Sequence, residues 1–223
     1  MTTYTIGTLG RRPHRSEPPA GRYPVGAIFL HLVDRDRCDA WVPSRPYREL
    51  MVGVRYPARE VEGYERVPGS FAHEDAPPVL DPVGPRPVVL YSPGVGEARV
   101  PGTPLVDELA SHGYVVVFID HADDAPAAKF PHDRVADVRF VLDQLASLAP
   151  GLLDLSRIGL CGRSEGRLAD LGTLHDDPRI KAVADLDGEG DGDGAAARLV
   201  AFFDRRLLGR EEIPAATAAR AGR

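Results

Sequence analysis

From Arg86 to Leu186 the sequence repeats one phrase: a short run of consecutive apolar residues, a break rich in glycine and proline, an amphipathic stretch, and another apolar run. The runs are Pro87-Val88-Val89-Leu90-Tyr91, Tyr114–Asp120, Arg157–Cys161 and Ile180–Leu186. They do not alternate apolar with polar residues, which is the pattern of strands covered on both faces. Between them the spacing predicts helices. One has Thr103 as its cap and Pro104 in its first turn, runs to His112 and stops at Gly113. A second spans Asp133–Leu148, with Val135, Val138, Leu142 and Leu145 on one face, and a third spans Glu165–Leu174. Strands that alternate with helices in this way build a mostly parallel sheet with helices on both faces, an α/β fold.

The flanking sequence is less regular. Val25–Val33 and Leu50–Tyr56 read as two further strands, the second through alternating Leu50, Val52 and Val54. Residues 57–85 are rich in proline, glycine and charge and are expected to form a long surface loop. Residues 1–21 read as a flexible N-terminal arm. Beyond Asp187 a Gly/Asp linker, 188–194, leads into a helix at Ala195–Leu208, and 209–223 reads as a frayed tail. One domain, 22–208, is therefore expected.

Composition narrows the function. With 27 basic against 33 acidic residues the net charge is −6, so no basic surface invites nucleic acid or an anionic membrane. Two cysteines, Cys38 and Cys161, neither form a disulfide framework nor match a zinc spacing. No apolar stretch approaches the ~18 residues of a transmembrane span. The first residues lack the basic and apolar regions of a signal peptide, which points to the cytoplasm.

Gly162-Arg163-Ser164-Glu165-Gly166 matches G-x-S-x-G between an expected strand and an expected helix. In that setting the turn is so tight that glycines are needed on both sides, at Gly162 and Gly166, and the strain lifts the serine hydroxyl clear of the sheet edge. The backbone N–H of Glu165 then faces a developing oxyanion. A second donor is expected from the loop after an earlier strand, where Gly94-Val95-Gly96 lies.

Several segments give the chain a wider likeness: Leu32-Val33-Asp34-Arg35, Arg48-Glu49-Leu50-Met51-Val52, Tyr91-Ser92-Pro93-Gly94-Val95-Gly96, Ile119-Asp120-His121, Arg134-Val135-Ala136-Asp137-Val138-Arg139 and Asp177-Pro178-Arg179-Ile180-Lys181-Ala182. Through them the chain resembles the platelet-activating-factor acetylhydrolase-like lipases and esterases, a family of α/β-hydrolases, over most of residues 22–208. The resemblance implies Ser164 as nucleophile, Asp187 as triad acid, and the N–H groups of Val95 and Glu165 as the oxyanion hole. It also implies a small ester or phospholipid-like substrate and no metal or organic cofactor. Family members are often secreted, which runs against the cytoplasmic expectation above.

The sequence departs from the family in three ways. Arg163 replaces a histidine beside the nucleophile, and Arg167 replaces a glycine where the following helix packs. The third is that family members continue after the acid through two more strands to the triad histidine, whereas the seven histidines here, 14, 31, 73, 112, 121, 132 and 175, all precede Asp187. His121, at a strand end near the elbow, is the surrogate base to consider. A truncated hydrolase fold with weak or no turnover is expected, by analogy with triad knockouts that cost on the order of 10⁶-fold. The alternative is a silent remnant serving as a binding or regulatory module. Loss of the last two strands also leaves a sheet edge that invites dimerisation.

Other patterns fail on inspection. Gly94-Val95-Gly96 lacks the third glycine of a dinucleotide fingerprint, because position 99 is Arg99. A calcium loop starting at Asp187 would need an acid at its twelfth position, which is Arg198. His121-Ala122-Asp123-Asp124 has no second ligand set for a metal.

Overall fold

The computed structural model describes residues 17–39, 44–80, 84–93, 104–120, 131–162, 177–186 and 194–210. Seven strands form one sheet: β1 (Val25–Asp34), β2 (Arg48–Pro57), β3 (His73–Glu74), β4 (Arg86–Ser92), β5 (Val115–Asp120), β6 (Leu153–Gly162) and β7 (Ile180–Asp185). Their order is β3-β1-β2-β5-β4-β6-β7. The pairs β1–β2 and β2–β5 are antiparallel, and the pairs β1–β3, β5–β4, β4–β6 and β6–β7 are parallel. Three helices are described: α1 (Pro104–Ser111), α2 (Pro131–Leu148) and α3 (Ala195–Leu208).

The continuous apolar runs fall where the sheet is covered twice. Every residue of β4 is buried. Alternate residues feed two cores, as the twofold period of a strand requires. Val88, Leu90, Val117 and Leu160 face α2, where they meet Val138, Val141 and Leu145. Val89, Val116 and Cys161 face the other way, toward Leu109 of α1 and Leu199 and Phe203 of α3. The helix α1 ends as its sequence predicts. Gly113 has φ +109°, and its N–H and that of Tyr114 return to the carbonyls of Ala110 and Leu109.

Two expectations need correction. The described part of segment 57–85 is not a free surface loop. It contains β3, buries Val67, Ala72 and Ala76, and accepts a hydrogen bond from Tyr56 Oη at the Ala76 carbonyl. A strand of two residues has no period to read, so the prolines and glycines around it dominated the pattern. Residues 20 and 21, expected to belong to a flexible arm, are held against α1. The N–H groups of Ala20 and Gly21 donate to Glu108 and Ser111 of α1, at 2.9 and 3.1 Å.

One network of charge ties the antiparallel end of the sheet to α2. Arg48, at the start of β2, donates from Nη2 to Asp137 Oδ2 at 2.7 Å and from Nε to Oδ1 at 3.2 Å. Arg37 donates to the same carboxylate at 2.8 Å and also pairs with Asp34 at the end of β1. Arg48 and Asp137 are both buried. A fork of this kind satisfies both partners, but loss of either strands a charge in the interior. Asp137→Ala is expected to destabilise the protein by about 3–5 kcal/mol. Replacing both Arg48 and Asp137 by apolar residues is expected to cost less than that single change. Urea unfolding of the three variants against the parent checks both statements.

Candidate active site

The parallel strands β5, β4, β6 and β7 end side by side at one edge of the sheet. Tyr91 pairs with both Phe118 and Cys161, Ser92 with Gly162, and Gly162 with Asp185. The N–H of Leu186 donates to the Gly162 carbonyl at 2.9 Å. This is the carboxyl edge of a parallel sheet, where open α/β folds bind their ligands.

Of the residues given a part in the candidate nucleophile, acid, base and oxyanion hole or as elbow glycines, Gly162 alone is described. Ser164, Glu165, Gly166, Asp187, His121 and Val95 lie outside the described residues. So does the helix expected at Glu165–Leu174. Gly162 closes β6 two residues before Ser164, and Leu186 immediately precedes Asp187. Pro93 immediately precedes Gly94, and Asp120, which closes β5, immediately precedes His121.

Gly162 occupies a position with no room for a side chain. A Cβ there would lie 2.2 Å from the Ser92 carbonyl oxygen, a contact with backbone that cannot swing away. The glycine thus lets β4 and β6 converge where the chain leaves the sheet. Beside it, Arg134 of α2 donates to the Pro93 carbonyl at 2.9 Å and holds the end of the β4 segment. Cys161, next to Gly162, is fully buried, and burial pushes its thiol pKa up, so it is packing material rather than a nucleophile.

A second polar cluster lies beneath the α1 face and was not anticipated from the sequence. Arg55 of β2 is wholly buried, with its guanidinium 5.2 and 5.3 Å from the ring centres of Phe29 and Phe118. Its Nε is 3.4 Å from Asp107 Oδ1 in α1, an ion pair without a hydrogen bond between the two groups. Burial lowers the Arg55 pKa, and Asp107 works against that shift. The other oxygen of Asp107 accepts from Ser70 Oγ and the Phe71 N–H, both at 2.7 Å. The cluster therefore fastens the first turn of α1 to β2 and to the 57–80 segment. The one available signal was an arginine near the end of the mainly apolar run Leu50–Tyr56.

Among the described residues, no group of three or more His, Cys, Asp or Glu side chains is placed to hold a metal ion. No described helix is long and apolar enough to cross a membrane.

The chain is 30% identical over 124 residues to a probable 1-alkyl-2-acetylglycerophosphocholine esterase of Arthroderma benhamiae. That match takes in 46% of this chain and 31% of the fungal protein, so it spans less than a third of the relative's length. The resemblance to platelet-activating-factor acetylhydrolase-like esterases stands. A ferulic acid esterase from Streptomyces cinnamoneus superposes with a TM-score of 0.70 at 24% identity, covering 89% of this chain and 94% of that one. The fold is that of the α/β-hydrolases. A hypothetical protein of Pseudomonas aeruginosa overlaps at a TM-score of 0.47 and 16% identity, over 82% of this chain and 48% of that one, too distant to bear on the site. No protein-family model matches the sequence. Among the described residues, the sheet lacks the two strands that the family resemblance leads one to expect after β7.

The Gly162 contact yields a direct test. Gly162→Ala forces β4 and β6 apart, and overpacking of this kind costs about 1–3 kcal/mol, with the backbone clash here favouring the upper end. A lowered thermal midpoint is expected, with Gly84→Ala, where no atom lies within 4 Å of the added Cβ but φ is +74°, as the comparison for backbone strain alone.

Proposed function

We propose that this chain is a carboxylic-ester hydrolase of the platelet-activating-factor acetylhydrolase-like type, with Ser164 as nucleophile and weak turnover. The observation that carries the reading is the junction at Gly162. There β6 ends against Ser92 on one side and Asp185 on the other, with Leu186 bonded to the Gly162 carbonyl. The segments that begin at Gly94, Arg163 and Asp187 all start from that junction. An esterase relative at 30% identity supports the same chemistry.

In this mechanism the Ser164 hydroxyl attacks the ester carbonyl, and the backbone N–H groups of Val95 and Glu165 receive the negative charge of the tetrahedral intermediate. Asp187 orients and stabilises the protonated base. Between Asp187 and Arg223 there is no histidine, and His121, the residue that follows β5 in the sequence, takes the base's part. A base in an unaccustomed position accepts the serine proton less efficiently, which is why turnover is low. Arg163 and Glu165 flank the nucleophile with opposite charges, so the Glu165 carboxylate opposes an oxyanion and the Arg163 guanidinium offsets it. The substrate is a short-chain acyl ester, with phospholipid-like esters as the natural class.

The competing reading is a silent remnant that binds rather than turns over. It draws on the same absence of a histidine after Asp187. Hydrolysis of p-nitrophenyl acetate and butyrate by the parent protein separates the two. Turnover above buffer that disappears in Ser164→Ala and drops at least tenfold in His121→Ala is expected, in keeping with the contribution of about 10²–10⁴ from a positioned general base. Equal rates for the parent and Ser164→Ala would leave the binding reading in place.

A further inference from the structure

The amino edge of the sheet, opposite the candidate active site, carries a cluster whose polar groups are nearly all donors. Arg86 opens β4 there, with its N–H bonded to the Leu152 carbonyl at 2.7 Å, and the residue is only 4% exposed. The segment before β1 brings Tyr23 onto it. The Arg86 guanidinium carbon lies over the Tyr23 ring, 4.8 Å from its centre, and that of Arg22, an exposed residue, lies 4.6 Å from the same centre. Both arginines also converge on one oxygen. Tyr23 Oη accepts from Arg22 Nη2 at 2.6 Å and from Arg86 Nη1 at 3.4 Å. The Tyr23 N–H donates to the Ser111 carbonyl of α1 at 3.1 Å, which holds the ring in place.

Donors outnumber acceptors at this point. The phenolic oxygen that accepts from both arginines keeps one proton of its own to donate. Among the described residues, Arg86 Nε and Nη2 are buried without a hydrogen-bond partner, and neither Arg22 nor Arg86 is paired with a carboxylate. The acids on the surrounding elements are engaged elsewhere: Glu108 with His112, Asp154 with Arg157, and Asp204 with Arg210. Two positive charges therefore stand together without a counter-charge, on a chain whose net charge is −6. Burial by itself raises the Tyr23 pKa, but Arg86 and Arg22 outweigh it and hold the phenol below its ordinary value, the response expected where positive charge is in surplus.

We propose that Arg22, Tyr23 and Arg86 form a binding site for a dianionic oxyanion, either inorganic phosphate or the phosphate of a monoester. Guanidinium groups present parallel N–H bonds to such oxygens, and two of them match its two charges. Arg22 meets the anion from solvent, Tyr23 donates its O–H, and Arg86 adds charge from beneath the ring. The bound anion fastens the segment before β1 to the start of β4. The seven residues of β4, about 20 Å of strand, separate this site from the carboxyl edge, so the proposal is independent of ester hydrolysis.

Calorimetric titration of the full chain with sodium phosphate in mildly alkaline buffer, against sodium chloride at equal ionic strength, tests the site. Saturable binding of phosphate and not of chloride is expected. Arg22→Ala should weaken it about tenfold, the order of one hydrogen bond to a charged group, and Arg22→Lys should weaken it less, because the charge stays while the fork is lost. Methyl phosphate, titrated in the same way, separates the two sources: equal or tighter binding supports a phosphomonoester, and weaker binding supports free phosphate. A second readout moves only where the anion meets the phenol. Following tyrosinate absorbance through an alkaline titration, and subtracting the curve of Tyr23→Phe, isolates Tyr23 from the other tyrosines. Phosphate should shift its ionisation to higher pH, because a nearby negative charge disfavours the phenolate, and Arg22→Ala should abolish the shift. An absence of saturable binding, binding unchanged in Arg22→Ala, or a Tyr23 ionisation indifferent to phosphate would overturn the proposal. The two arginines would then serve to clamp Tyr23 against the carboxyl end of α1.

Discussion

The parallel ladder through β4 is the constraint on which the rest of the structure depends. This strand is buried along its whole length and bonded on both sides, to β5 and to β6. A strand so placed can spare no polar side chain toward either face without leaving it in a core. Its neighbours in sequence must also return over the sheet to reach parallel strands, which is why helices lie on both faces. The same parallel direction brings the carboxyl ends of β5, β4, β6 and β7 to one edge. The strand ends that precede the candidate residues in the sequence are therefore gathered there by topology.

Where the sheet turns antiparallel, at β1 and β2, hydrophobic pattern gives way to buried charge. Arg48 and Asp137 join the start of β2 to α2, and Arg55 and Asp107 join its far half to α1. The two pairs lie on opposite faces of one strand and differ in quality. The Arg48 fork is hydrogen-bonded on both nitrogens, whereas Arg55 is held by an ion pair and by two aromatic rings. A bidentate pair fixes orientation as well as distance. A guanidinium between rings keeps its charge in a partly polarisable setting while it remains poorly hydrated. Each pair fastens one helix layer to the same strand, so β2 locks the three layers together.

Much of this was legible in the sequence. The strands β4, β5, β6 and β7 and the helices α1, α2 and α3 were read within a few residues, because each depends on a local period or on a punctuating residue such as Gly113. The end of β6 at Gly162 was legible for the same reason, since a glycine closes the apolar run there. The family likeness also ran through Asp34, Arg48 and Asp137, and these residues converge in the charge network around α2. Their pairing was not legible, because 89 positions separate Arg48 from Asp137 and nothing local records the contact.

The sequence by itself determined the alternation of strand and helix, the end of β6 at Gly162 and the order in which candidate residues follow one another. These are properties of neighbours within a turn or two of chain. Tertiary structure alone decided that β4 lies between β5 and β6, that the 57–80 segment packs onto the sheet through Val67, Ala72 and Ala76, and that Gly162 meets the Ser92 carbonyl. Each of those facts depends on which distant surfaces bury one another. Burial is a property of the whole packed chain rather than of any short stretch of it.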